Sequence, residues 1–178
     1  PHDTLWDEGK EEDSTGWEIG KFLHLALQSN PSILEVLVAP VEYTVLWGQE
    51  LRSLFPYVWD SERVFESFRG YGKNQQKKFL NNTTTSYRRV KYARAYLRTL
   101  YQGYTLLTEE HLPILMTASP IYNTLLKWDN EFMGFGEVID VCQEWEEKMR
   151  EAMVGREHKT ANLDRVNEYL LRIRKAFF

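Results

Sequence analysis

The sequence has 178 residues, 43% of them apolar and 14% aromatic, which is enough for a real core and too apolar for a disordered chain. Its net charge is −4, and a single cysteine, Cys142, excludes an internal disulfide framework or a cysteine-built metal site. No apolar run reaches the roughly 18 residues that span a bilayer, and no secretory leader is visible, so the expectation is a soluble cytoplasmic protein with no membrane partner.

Residues 1–15 carry Asp3, Asp7, Glu8, Glu11, Glu12 and Asp13 against a lone Lys10 and read as an acidic solvated segment. Pro1 stands where an initiator Met would, as in a product trimmed from something longer. Helical pattern begins near Trp17, with Ile19, Phe22, Leu23 and Ala26 on one face. Asn30-Pro31 ends it, because the residue before proline avoids the α region. Residues 33–39, ILEVLVA, form a short apolar run stopped by Pro40 and suit a buried strand. A lone strand cannot stabilise itself, so its partner is expected before Pro1 or in another chain. A short helix over 47–55 closes at Pro56.

Asp60 and Ser61 are N-cap candidates for the next helix, which Gly70 and Gly72 are expected to kink before Leu80. The polar loop NNTTTS (81–86) leads into a long helix over 86–107, with Val90, Ala93, Leu97, Leu100, Tyr104 and Leu107 as its core stripe. Pro113 and Pro120 mark a connection to a short helix over 121–128. Gly134 and Gly136 mark another break. Val138, Val141, Cys142, Trp145, Met149 and Ala152 define a further helix, which Gly155 ends. Cys142 lies on that apolar stripe and reads as a buried structural thiol. A last helix starts at an Asn162 cap and carries Val166, Tyr169, Leu170, Ile173 and Phe177. The fold class is mainly α, about six helices with a short N-terminal β remnant.

From 63 to 98 there are ten Lys/Arg and one acid, Glu66. Lys91, Arg94 and Arg98 share one face of the long helix beside its apolar stripe. A locally basic segment in an acidic chain suits a phosphate, a nucleotide or a nucleic-acid backbone. Tyr71, Tyr92, Tyr96 and Tyr101 can stack on a base or bond a phosphate, though each taken singly also fits a core. No complete catalytic signature accompanies this face. The sequence has no Gly-rich phosphate loop and no Gly-x-Ser-x-Gly elbow. Its histidines, His2, His24, His111 and His158, lack metal-ligand spacing. Asp13 could serve Mg²⁺, but one carboxylate is not a site.

Several blocks together resemble one family. They are Trp17-Glu18-Ile-Gly-Lys21-Phe22, then Leu25-Ala-Leu-Gln-Ser-Asn30-Pro31-Ser-Ile-Leu-Glu35, then Gly70-Tyr71-Gly72 ahead of Gln76-Lys77-Lys78. Lys91-Tyr-Ala-Arg94-Ala-Tyr-Leu-Arg98-Thr-Leu-Tyr101 follows, with Gly136-Glu137 and Asn162-Leu-Asp-Arg-Val-Asn167 in the tail. From about Asp13 onward the chain resembles the predicted nucleotidyltransferases of the DNA polymerase β superfamily, which include polymerases associated with RNA ligase in RNA repair and occur in bacteria and phages.

The resemblance implies an α+β parent whose Gly-Ser turn and Asp-x-Asp pair bind the triphosphate and Mg²⁺; neither motif occurs here. It implies residues 1–45 as a remnant of the nucleotidyltransferase α/β domain and 46–178 as a C-terminal helical domain. It places the third carboxylate, a catalytic metal ligand, at Asp13, with Glu18 the alternative. By the same resemblance Lys77, Lys78, Lys91, Arg94 and Arg98 face phosphates, and Tyr71 or Tyr101 approaches the base. The implied partners are a nucleoside triphosphate and a hydroxyl acceptor, with RNA or DNA as candidates. Two other readings stay open: a non-catalytic helical module gripping nucleic acid or nucleotide through the 63–98 face, and a remnant whose basic face meets an acidic partner.

Overall fold

The computed structural model describes residues 4–8, 13–41, 44–81, 83–130, 134–155 and 157–177. The chain divides into two compact units, one made of Pro1–Trp59 with Thr160–Phe178, the other of Asp60–Lys159.

In the first unit, strands β1 (Thr4–Glu8) and β2 (Asp13–Trp17) pair antiparallel, with Thr4 opposite Trp17 and Glu8 opposite Asp13. The acidic segment read over residues 1–15 thus carries paired strands at 4–8 and 13–15, while residues 1–3 and 9–12 lie outside the described residues. Thr4, Trp6, Thr15 and Trp17 are β-branched or aromatic, and their strand preference prevails over the acids between them. Helix α1 (Ile19–Leu27) begins at Glu18, whose carboxylate accepts the Lys21 backbone N–H at 2.8 Å. The Trp17 ring meets Phe22 edge-on, centroids 6.1 Å apart.

Helix α2 (Pro31–Val38) occupies most of the run read as a strand, which corrects that reading. Asn30 accepts the Ile33 N–H at 3.2 Å and Pro31 takes the first helical position, so the pair that stops α1 also starts α2. Ile33, Leu34 and Leu37 then fall on one buried helical face. A short apolar run cannot be divided between helix and strand by periodicity; here the cap decides. The expectation that residues 33–39 need a partner strand falls with it, because most of that run is helical. Ser29, at φ 51°, supplies the left-handed residue that reverses the chain between α1 and α2. Helix α3 (Leu46–Ser53), a 3₁₀ turn at Phe55–Tyr57 and helix α8 (Leu163–Phe177) complete the unit. Tyr169 donates its hydroxyl to the Trp47 carbonyl at 2.9 Å, and Arg172 pairs with Glu50 at 3.0 Å, joining α8 to α3. Asn162 caps α8 as expected, accepting the Arg165 N–H at 3.0 Å.

The second unit holds α4 (Ser61–Leu80), α5 (Ser86–Glu109), α6 (Tyr122–Asn130) and α7 (Phe135–Ala152). Asp60 caps α4, accepting the Arg63 N–H at 2.7 Å, as its residue type foretells. The expected interruption at Gly70 and Gly72 is corrected, because α4 runs unbroken through both. Gly72 is a packing residue: a Cβ there would lie 3.2 Å from the Tyr96 ring of α5. Gly134 caps α7, while Gly136 lies inside it.

Helix α5 packs against α4, α6 and α7. Ala93, Leu97 and Leu100 of the expected stripe are fully buried, but Tyr96, Thr99, Gln102, Gly103 and Thr105 are buried too, at other angles around the axis. The expectation of a single core face on α5 is corrected accordingly; its middle is enclosed on most sides. Tyr101 and Tyr104 press their edges on Trp145 of α7, centroids 5.1 and 5.5 Å away. Among the described residues the chain has eight α-helices and one two-stranded sheet, so it is mainly α as the sequence implies.

Candidate anion-binding site

A cleft of about 540 Å³ opens along α5 where Lys91, Arg94 and Arg98 stand in a row. Spacings of three and four residues keep these side chains on one face. The far wall comes from residues 114–117 and from Tyr122, Leu125 and Leu126 of α6. Two features hold that wall. Gln102, buried in α5, donates its Nε2 to the Pro113 carbonyl at 2.8 Å. The Met116 carbonyl then accepts the Ser119 N–H at 2.9 Å and its Oγ at 2.6 Å, closing the turn that leads into α6.

Three cations face one carboxylate among the lining residues, that of Asp129. Asp129 pairs with Arg94, Nη1 to Oδ1 at 2.6 Å, and both side chains keep access to solvent. An exposed pair of this kind adds little stability, so Arg94 can exchange a carboxylate for a phosphate at low cost. Lys91 is exposed, Arg98 half-buried. The cleft joins this cationic row to an apolar wall, which suits an anion that carries an aromatic or apolar group.

The other candidate residues lie elsewhere. Asp13 opens β2 opposite Glu8. Glu18 caps α1, and the backbone N–H groups of Gly20 and Lys21 hold its carboxyl below the usual carboxylate range. Tyr71 is exposed on α4. Lys77 and Lys78 are exposed in the last turn of α4, where Lys78 lies 5.7 Å over the Tyr92 ring. Tyr101 is half-buried against Trp145, and burial pushes its hydroxyl up from the ordinary tyrosine value. None of these lines the cleft.

The 63–98 face is not one continuous field of charge. Arg63 pairs with Asp60 at 3.2 Å, and Arg69 and Lys73 converge on Glu146 of α7, each at 2.8 Å. Glu146 is a buried residue that sequence reasoning missed. Burial alone would raise its pKa, but Lys73 and Arg69 outweigh that and hold the carboxyl below its ordinary range. A signal existed: residue 146 sits one turn after Cys142, on the buried stripe of α7, where an acid needs a cation. Cys142 itself is fully buried, as expected, and burial pushes its thiol above the ordinary range.

Among the described residues no three His, Cys, Asp or Glu side chains gather as metal ligands, and no helix is long and apolar enough to cross a membrane. No curated protein and no solved structure matches the chain. One family does match, over residues 3–172, and the blocks that carry the resemblance, Lys91-Tyr-Ala-Arg94 in the cleft wall included, lie inside that span. The chain belongs to the RNA repair pathway DNA polymerase beta family (RlaP).

Proposed function

We propose that the chain acts in nucleotidyl transfer from a nucleoside triphosphate to a hydroxyl acceptor, RNA foremost, in the cytoplasm of a bacterium or phage-infected cell. The observation that carries this reading is the row of Lys91, Arg94 and Arg98 along one cleft in a chain of an RNA-repair polymerase family. Such a transfer proceeds by attack of the acceptor oxygen on the α-phosphorus, with pyrophosphate leaving. Mg²⁺ would neutralise the phosphates during that step. The described residues do not fit the ion on their own: they form no ligand cluster, and the 178 residues contain neither a Gly-Ser turn nor an Asp-x-Asp pair. In this reading Lys91, Arg94 and Arg98 hold phosphates, Asp13 contributes one carboxylate to a metal site completed by another segment, and Tyr71 or Tyr101 approaches a base.

The test is incorporation. Protein purified from its native host is incubated with Mg²⁺, each of the four α-phosphate-labelled triphosphates and an RNA acceptor. Labelled RNA with release of pyrophosphate is the expected result; no labelled product with any triphosphate refutes the reading. These 178 residues alone are expected to give none, and robust incorporation by them would overturn the need for a completing segment. The lack of a ligand cluster among the described residues favours a second reading, a helical module that binds nucleic acid without chemistry. It predicts RNA binding by the native protein with no incorporation.

A further inference from the structure

We propose that the cleft along α5 is the seat of the single-stranded RNA acceptor rather than of the triphosphate. This rests on the nucleotidyl-transfer reading and narrows it.

Three observations lead there. The first is the row of cations. At 1.5 Å per residue, Lys91 to Arg98 covers about 10 Å of helix axis, a track for successive phosphates rather than one point of charge. The second is the rim. Tyr87 is 83% exposed and Leu115 75% exposed, and the half-buried Tyr122 also lines the cleft. An exposed ring and apolar side chains along a cationic track are features that let single-stranded nucleic acid stack its bases while its backbone is neutralised. The third is the carboxylate count. A triphosphate brings Mg²⁺, which is usually held by its own phosphate oxygens together with one or two protein carboxylates that are not already engaged by a cation. Asp129 is the single acid among the lining residues, and its Oδ1 is bonded to Arg94. The cleft therefore suits a polyanion that needs no metal. Asp129 occupies Arg94 until a phosphate displaces it, so it acts as an internal competitor.

The experiment measures anisotropy of a 5′-labelled unstructured oligoadenylate in EDTA, over a range of KCl concentrations. In parallel, binding of ATP with Mg²⁺ is measured by calorimetry. The native protein should bind the RNA without Mg²⁺, with a log–log salt slope of about −1.4 to −2 for two or three phosphates neutralised. Lys91→Glu with Arg98→Glu should weaken RNA binding about tenfold or more and flatten that slope, while ATP binding is unchanged. Asp129→Asn should tighten RNA binding by a few-fold. Circular dichroism checks that the variants fold, and Lys91→Ala alone gives a milder version of the same loss.

The proposal is overturned if the charge reversal weakens ATP binding and spares RNA, which would make the cleft the triphosphate site. It is equally overturned if RNA binding is absent, or indifferent to both variants. Absence of incorporation with every acceptor, alongside salt-dependent RNA binding through this cleft, overturns nucleotidyl transfer and leaves the RNA seat supported. Incorporation onto a small hydroxyl compound, with RNA binding indifferent to the charge reversal, does the opposite.

Discussion

Three glycines in the 60–159 unit make a graded test of how tightly α4, α5 and α7 pack. A Cβ at Gly70 of α4 would meet no described residue within 4 Å. At Gly72 it would sit 3.2 Å from the Tyr96 ring and 3.3 Å from Leu100, both fully buried side chains. At Gly103 of α5 it would lie 2.8 Å from the Met149 methyl and 3.0 Å from the Phe68 Cβ. Met149 can swing, but the Phe68 Cβ is fixed to the α4 backbone, so the two helices must move apart. Alanine in place of glycine within a helix favours the fold by about 0.5–1 kcal/mol, and overpacking a core costs about 1–3 kcal/mol.

The expected outcomes follow from those opposing effects. Gly70→Ala stabilises by up to about 1 kcal/mol. Gly72→Ala lands between neutral and about 2 kcal/mol destabilising, and Gly103→Ala is the most damaging of the three. In a chain of this size 1 kcal/mol moves Tm by about 2–4 °C, so the ranking is readable by scanning calorimetry or dye-based melting. If Gly103→Ala raises Tm as much as Gly70→Ala, the close approach of α5 to α4 described above is refuted.

Glu146→Gln leaves Arg69 and Lys73 without their shared partner and should cost about 1–3 kcal/mol, less than a fully enclosed pair because both cations reach solvent. The carboxyl titrates lower when folded than its unfolded value of about 4.3, so its contribution is present above that pH and is lost as pH falls through the folded value. Acid denaturation followed by circular dichroism should therefore be less steep below about pH 4 in the variant. Tyr96→Phe should be neutral or stabilising in a urea melt, because the buried Tyr96 hydroxyl has no hydrogen-bond partner among the described residues and such a group costs about 1–3 kcal/mol; a clear loss of stability would point to a partner for that hydroxyl. Gln102→Leu removes the bond to Pro113 and should weaken oligoadenylate binding a few-fold with an unchanged salt slope, since no phosphate contact is touched.

How far the sequence leads depends on how local each determinant is. The caps at Asp60, Asn30 and Asn162 act within three residues, and the first and last are read directly from the residue type. Asn30-Pro31 is legible as an end but not as a beginning, and that hides α2. The hairpin hides for a related reason: acids around Thr4, Trp6 and Thr15 mask a strand preference that pairing across β1 and β2 realises. On α5 the cation row follows from spacing alone, whereas the wall opposite needs Gln102 to reach Pro113 and the turn at Met116 to form. A charge count over 63–98 cannot see Asp129 or Glu146, which come from outside that window to meet Arg94, Arg69 and Lys73. Local pattern thus finds the positive row, while tertiary pairing decides which of the cations remain available to a ligand.

The Ser61 N–H donates to the Lys159 carbonyl, and the Lys159 N–H donates back to the Ser61 hydroxyl, each at 3.0 Å. The segment from 60 to 159 therefore leaves and rejoins the rest of the chain at one clasped point, like an insertion placed between neighbouring residues of a host. A module closed in this way can be lifted out, transplanted or replaced by a short turn without stretching the chain on either side. The cationic cleft, from Lys91 to Asp129, would travel with it whole.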